Sequence, residues 1–336
     1  MSSTAARCRS IWTSVILASS IWLCASGPAM AGNQARAGIN LGATSFYDGF
    51  GRPVGGFSSQ LYLQYSTAQV FRDFEGNEVT AFRNPQFDTF VWLNQLSYTI
   101  PAPLFGNRAL AGINAILPVV GFHTSFDAGG PQPRSNGVGL GDLAIGPTLQ
   151  FLPIIVDNRP FFSHRFEFDV IGLTGKYDPS YNFNQGTSFY SLNPYWAFTI
   201  LPINHLEVTA RVNWIYNFQN DQPVNPPPGL AVNDAQAGQQ FWVNFAASYE
   251  VLSGLHVGAN GYYLKQLTRD RFVLADGTET DGRLQGEGLQ QVLGIGPGIF
   301  WEATKQERFY ANVYFQLAVE ARPQSNVLSV RWLHSF

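Results

Sequence analysis

The chain predicts an all-β fold, a transmembrane antiparallel β-barrel of about twelve strands. Three observations predict it. The last eleven residues, Asn326 to Phe336, alternate in character up to the terminus. The composition joins 15% aromatic residues to only 13% charged ones, about half the usual charged share. Yet after the first 31 residues no apolar run is long enough for a spanning helix. Finally, the connections between candidate strands fall into two alternating classes, short and long. Alternate residues facing lipid, with short turns at one end and long loops at the other, are the signature of such barrels.

The C-terminal strand is the clearest single element. Leu328, Val330, Trp332, His334 and Phe336 share one face, and Val327, Ser329, Arg331, Leu333 and Ser335 share the other. Termini of soluble domains usually fray. A strand that alternates to the last residue and ends in an aromatic is a closing barrel strand. Leu328, Val330, Trp332 and Phe336 are its expected assembly signal. His334 departs from the pattern, since an apolar residue is more usual there. The alternative is a docked strand of a soluble sandwich.

The first 31 residues read as a secretory signal. Arg7 and Arg9 form a positive n-region, Ile11 to Cys24 an apolar stretch, and Ala29-Met30-Ala31 an A-x-A cleavage site. Ile21, Trp22 and Leu23 lack the small residues expected before a lipidated Cys24. The only cysteines, Cys8 and Cys24, lie inside this segment, so residues from Gly32 onward have no disulfide, thiolate metal site or cysteine nucleophile. Losing Arg7 and Arg9 takes the formal charge from −3 to −5, which argues against nucleic acid as a partner. The expected location is the outer membrane of a Gram-negative bacterium after Sec export. The expected partners are outer-membrane lipid and the barrel-assembly machinery.

Strands are predicted at 57–70, 87–100, 108–122, 138–152, 161–174, 188–200, 205–217, 239–251, 254–267, 289–301, 307–319 and 326–336. In 205–217, Leu206, Val208, Ala210, Val212, Trp214 and Tyr216 oppose Glu207, Thr209, Arg211, Asn213 and Asn217, with Ile215 the apolar exception. In 307–319, Phe309, Ala311, Val313, Phe315, Leu317 and Val319 oppose Tyr310, Asn312, Tyr314, Gln316 and Ala318. In 161–174, Phe162, His164, Phe166, Phe168 and Val170 oppose Ser163, Arg165, Glu167 and Asp169. The apolar faces belong to lipid and the polar faces to the interior. Strand 87–100 is ambiguous, because Phe90 and Trp92 oppose Val91 and Leu93.

If Phe336 ends in the periplasm, 302–306, 252–253, 201–204, 153–160 and 101–107 become periplasmic turns, all short. The connections 320–325, 268–288, 218–237, 175–187, 123–137 and 71–85 become extracellular, and all but the first are long. Residues 57–336 are then the barrel, and 32–56 are a segment in the periplasm or the lumen. If 32–56 added strands, the count would be fourteen. Pro147, Pro194 and Pro297 fall inside predicted strands, and each should mark a bulge or a strand end.

Several constellations test for other chemistry. Gly137-x-Gly139-x-Gly141 lacks the spacing and following helix of a nucleotide loop and reads as a Gly-rich lead into a strand. The histidines, 123, 164, 205, 256 and 334, are too dispersed for a metal site. No cofactor is expected. His123 and Ser125 share one face near a strand end, which leaves a Ser-His lipid hydrolase as a minor alternative, with no residue evident to orient the base.

Parity directs the charges Arg165, Glu167, Asp169, Glu207, Arg211 and Glu250 to the interior, as a solute-selecting constriction or as a salt-bridge network that fills the lumen. Strand-end aromatics, including Trp214 and Tyr216, Phe241 and Trp242, Phe300 and Trp301, and Phe309 and Tyr310, suit an interfacial girdle. Parity nevertheless points Tyr62, Trp242, Tyr262, Tyr310 and Tyr314 inward, where they would line a π-rich path for apolar solutes.

Gly139-Leu140-Gly141-Asp142 with Gly146-Pro147 forms a G-x-G-D-x-x-x-G-P element. Gly175-Lys176-Tyr177-Asp178, Asn193-Pro194, Gly261-Tyr262-Tyr263 with Gln266, Gly296-Pro297-Gly298 and Arg322-Pro323 follow in order. Together they resemble the MetA-pathway of phenol degradation family of outer-membrane proteins. The resemblance implies a barrel linked with uptake of aromatic or other hydrophobic compounds and no catalytic residues. The functional expectation is a channel for passive uptake of such compounds. The alternative is a filled-lumen structural or adhesive barrel.

Overall fold

A computed structural model describes residues 40–52, 54–226, 231–281 and 289–336. The signal-peptide expectation for 1–31 lies outside the described residues. Twelve strands make the wall: β1 (Gly56–Arg72), β2 (Gln86–Leu104), β3 (Ala109–Ser125), β4 (Ala144–Phe151), β5 (Arg159–Ile171), β6 (Ser191–Ile200), β7 (Leu206–Asn217), β8 (Gln240–Leu252), β9 (Leu255–Gln266), β10 (Gln291–Glu302), β11 (Glu307–Glu320) and β12 (Arg322–Ser335). Each pairs antiparallel with its neighbour in sequence, and β12 pairs with β1, which also holds β2. The ring is therefore closed, and no wall strand presents an unpaired edge.

The two faces of the wall differ as the alternation requires. On β7, Glu207, Thr209, Arg211, Asn213, Ile215 and Asn217 are all buried, while Val208 is exposed. On β2, Phe90 and Trp92 face outward and Val91 and Leu93 inward, which resolves the ambiguity of that strand. Leu63, Tyr65, Phe166, Phe168, Phe315, Leu328, Val330 and Trp332 are likewise exposed. An apolar band of this size on a closed wall is a lipid-facing surface.

The turns at one end are short: 105–108, 152–158, 201–205, 253–254 and 303–306. Asp157 and Asn158, both with positive φ, close Val156 onto Arg159 in a two-residue turn that suits strand twist. The other end carries the long connections, except where Ala321 alone joins β11 to β12. There the β7–β8 and β9–β10 loops pair into a separate four-stranded sheet of Gln219–Asn220, Val232–Gln236, Arg271–Leu274 and Glu279–Asp281.

Four local expectations are corrected. The predicted 138–152 strand divides into Val138–Leu140 and β4, because Asp142 turns away to accept hydrogen bonds from the Gly175 amide (2.9 Å) and from the amide (3.0 Å) and hydroxyl (2.9 Å) of Thr187. The G-x-G-D element is thus a latch between two long loops. The closing strand begins at Arg322, four residues earlier than 326. Val319 is buried although parity placed it outward; Ala318 adopts φ 48° and reverses the alternation. The three prolines mark neither bulges nor strand ends. Pro147, Pro194 and Pro297 each keep one partner, Ile113, Phe168 and Ala259, and pairing resumes in unchanged register past the gap on the other side. A missing N–H removes ladder bonds on one side only.

Candidate functional site

Residues 40–52 run inside the barrel and pack against its inner face. Their backbone is extended and turned, so its polar groups need partners inside the ring. The polar inner face supplies them. Trp242 Nε1 donates to Asn40 Oδ1 (3.1 Å), Asn244 Nδ2 to the Asn40 carbonyl (2.9 Å) and Gln64 Nε2 to the Leu41 carbonyl (3.2 Å). The Gly42 amide donates to Asn244 Oδ1 (3.0 Å), and Asn312 Nδ2 to Ser45 Oγ (3.0 Å). Lower down, the Tyr47 amide donates to Glu207 Oε1 (2.9 Å) and the Gly49 amide to Thr199 Oγ1 (3.0 Å), while Ser163 Oγ donates to the Gly49 carbonyl (2.9 Å). Apolar side chains add to the fit. Ala43 packs with Tyr62, Val91, Leu93 and Val120, and Phe46 with Ala246, Phe300 and Tyr310.

Two glycines permit this close approach. At Gly42, with φ +70°, a Cβ would lie 2.8 Å from the Tyr262 ring. At Gly49 it would lie 2.4 Å from the Thr199 amide nitrogen and 2.5 Å from the Ser163 carbonyl. The segment therefore rests directly on wall backbone.

Asp48 is the electrostatic centre. Arg211 donates through Nε (2.5 Å) and Nη2 (2.8 Å) to its two oxygens, and Arg165 Nη2 donates to Oδ1 (3.1 Å). Arg331 Nη1 lies 3.9 Å from the same oxygen. Burial alone would raise the Asp48 carboxyl; the guanidiniums of Arg211, Arg165 and Arg331 outweigh it and hold it at about 2. Strand register builds this arrangement. Arg165 and Arg211 stand opposite either side of Ala197 on β6, whose small side chain leaves both free to reach inward. Arg331 stands between Tyr62 of β1 and Tyr310 of β11. Its guanidinium carbon sits 3.5 Å from the Tyr310 ring centroid and 5.7 Å from that of Tyr62. Arg211 covers Tyr195 at 4.2 Å.

The interior acids take other partners. Glu167 accepts from the Tyr195 hydroxyl and from Asn114 Nδ2 (2.5 Å), and Glu207 accepts from the Thr209 and Ser248 hydroxyls. Asp169 is buried two positions above Glu167 on the same face. Glu250 stands apart from this group. It is at the short-turn rim, 26% exposed, accepting from the Gly254 amide (2.8 Å) and lying 2.9 Å from His205 Nδ1, so it closes the β8–β9 turn.

Tyr62, Trp242, Tyr262, Tyr310 and Tyr314 are all at least 96% buried. They do not line an open path, because the luminal segment and the apolar clusters occupy that space. Trp301 and Phe309, paired at 5.7 Å, are exposed, whereas their neighbours Phe300 and Tyr310 are buried. His123 and Ser125 are exposed at the end of β3, and no hydrogen bond joins them among the described residues. Sequence reasoning missed Asp48 altogether and counted Arg331 only as a charge on the mixed face. The one signal for Asp48 was a lone acid in the Gly-rich stretch before the first strand.

Below the segment, on the short-turn side, the described residues bound two cavities. One of about 270 Å³ is bounded by Asp48, Arg165, Glu167, Arg331, Gln60 and Phe50. One of about 700 Å³ is bounded by Tyr47, Arg52, Glu250, His256, Glu302 and Arg308.

An outer membrane channel from Pseudomonas putida F1 shares this fold, with a TM-score of 0.69 at 18% identity over 86% of this chain and 98% of that one. A mutant of the monoaromatic hydrocarbon channel TodX scores 0.47 at 10% identity over 89% and 94%, and the transport unit of the Escherichia coli autotransporter AIDA-I scores 0.45 at 11% over 83% and 90%. No curated protein matches the chain by sequence. The model of the family described as "Putative MetA-pathway of phenol degradation" matches residues 68–332, most of the wall, so the chain belongs to that family.

Proposed function

We propose that this protein sits in the outer membrane as a conduit for passive uptake of small hydrophobic or aromatic compounds, closed at rest by residues 40–52. The observation that carries this is the nature of the obstruction. It is not wall but a separate stretch of chain, held by hydrogen bonds and one ion cluster and bordered by the buried rings of Tyr62, Trp242, Tyr262, Tyr310 and Tyr314. Such contacts are individually modest. With the segment displaced, Arg165, Glu167, Asp169, Glu207 and Arg211 become the narrow region, and the rings an aromatic surface for the solute. The chain shows no nucleotide motif, so movement follows the solute gradient. Leu328, Val330, Trp332 and Phe336 face lipid near the chain end and serve the assembly machinery.

A second reading, a permanently filled structural barrel, draws support from the number of contacts that hold the segment. Single-channel conductance of the refolded protein in a planar bilayer, with and without phenol or toluene, separates the two. Conductance that the solute modulates, or liposome uptake of toluene, supports the conduit. Absence of both supports the filled barrel. Unchanged lipid hydrolysis in Ser125→Ala removes the hydrolase alternative.

A further inference from the structure

Among the described residues, the buried Arg211 and Arg331 and the largely buried Arg165 share one ion-pair partner. Among the described residues, every ion pair of Arg165, Arg211 and Arg331 is made with Asp48. Of the wall acids near them, Glu167 is engaged by Tyr195 and Asn114, and Glu207 by Thr209, Ser248 and the Tyr47 amide, while the buried Asp169 makes no ion pair with them among the described residues. The wall thus offers a cationic triad whose counter-ion comes from the luminal segment.

The triad has the features of a carboxylate-binding site. Arg211 grips Asp48 through two nitrogens in the fork geometry that matches a carboxylate. Arg211 and Arg331 lie over tyrosine rings, which hold the planar groups in place and border the site with aromatic surface. Donor capacity is left over. The buried Nε atoms of Arg165 and Arg331 have no hydrogen-bond partner, and both side chains bound the 270 Å³ cavity beside Asp48. Arg331 is 97% buried. Phe50, Tyr310 and Leu333 supply apolar surface in the same cavity.

We infer that Arg165, Arg211 and Arg331 form a recognition site for small aromatic carboxylates, that Asp48 occupies it in the resting protein, and that such a solute competes with Asp48 and releases the luminal segment. This rests on the conduit reading above and narrows it to a solute class. The exchange replaces one carboxylate by another on the same guanidiniums, so the arginines are not left buried without a counter-ion, which is the costly alternative. A neutral arene has no group to offer the triad. It can follow the aromatic surface once the segment has moved but cannot displace Asp48.

The test is single-channel recording of the mature chain with benzoate or with the neutral benzyl alcohol, applied to the long-loop side and to the short-turn side in turn. Millimolar benzoate should raise the frequency of open events about ten-fold or more, and benzyl alcohol should not. Asp48→Asn should open without benzoate and, under a KCl gradient, shift the reversal potential toward chloride. Arg211→Gln should lose the benzoate response. Heat-modifiable electrophoretic mobility checks that each variant forms the barrel. Equal effects of benzoate and benzyl alcohol overturn the inference. If benzoate does nothing while Asp48→Asn conducts and liposomes take up toluene, the conduit reading stands and the carboxylate site falls. If folded Asp48→Asn neither conducts nor takes up toluene, the conduit reading falls and the inference with it.

Discussion

The guanidinium of Arg331 lies on the ring of Tyr310, 3.5 Å from its centroid, while its Nη1 reaches toward Asp48. Pairing across β11 and β12 sets the two residues side by side, so the stack is a consequence of register. A cation on a desolvated aromatic face is stabilised by about 1–2 kcal/mol. Tyr310→Leu should therefore loosen the arginine and shift the closed-to-open ratio roughly 5–30-fold toward open. Arg331→Lys keeps the charge but loses the planar stack and should move the ratio the same way. Single-channel dwell times measure this, and unchanged dwell times in both variants would show that the stack does not hold the segment.

Gly49 sets how closely the segment meets the wall. A Cβ there would lie 2.4 Å from the Thr199 nitrogen and 2.5 Å from the Ser163 carbonyl, and neither is a mobile side chain. Gly49→Val should push residues 47–50 off β5 and β6 and raise conductance, with the barrel's electrophoretic mobility unaltered. A variant as closed as the parent would place the seal elsewhere.

Acid should not open the protein in the ordinary range. The Asp48 carboxyl is lowered from 3.8 to about 2 when docked. Its contribution to docking is complete above the undocked value and is lost as pH falls through about 2. Conductance should stay flat from pH 7 to about pH 4. Opening between pH 7 and pH 5 would mean that a group other than Asp48 controls the segment.

Asp142 ties the loop before β4 to the loop between β5 and β6 through Gly175 and Thr187. Each hydrogen bond to the carboxylate contributes about 1.5–3 kcal/mol. Asp142→Ala should accelerate protease cleavage within 172–190 by ten-fold or more and leave the wall folded. Equal cleavage rates would assign loop order to other contacts.

The closing strand was legible because alternation survives to Phe336. β7 was legible because one face is charged and amidic from Glu207 to Asn217. The interior positions of Arg165, Glu167, Asp169 and Arg211 follow from the same parity. Glu250 obeys parity but lies past the end of the lumen, and parity carries no depth along the strand. Val319 failed because one left-handed residue, Ala318, reverses the alternation at the end of β11. The prolines were expected to break or bulge their strands, yet a barrel strand has two neighbours and can lose ladder bonds to one while the other holds it in register.

What the sequence determined by itself was the wall: a closed antiparallel barrel of about twelve strands, their order and, for most of them, which face meets lipid. A strand encodes its facing locally, with a period of two, and short turns leave little choice of neighbour. What only the tertiary structure decided was the content of the lumen. Asp48 and Arg211 are 163 residues apart, and no local pattern links an acid in a Gly-rich stretch to an arginine on the seventh strand. They meet because ring closure brings every inner face around one axis, and among the described residues the arginines there find their ion-pair partner in Asp48 and not in a wall acid.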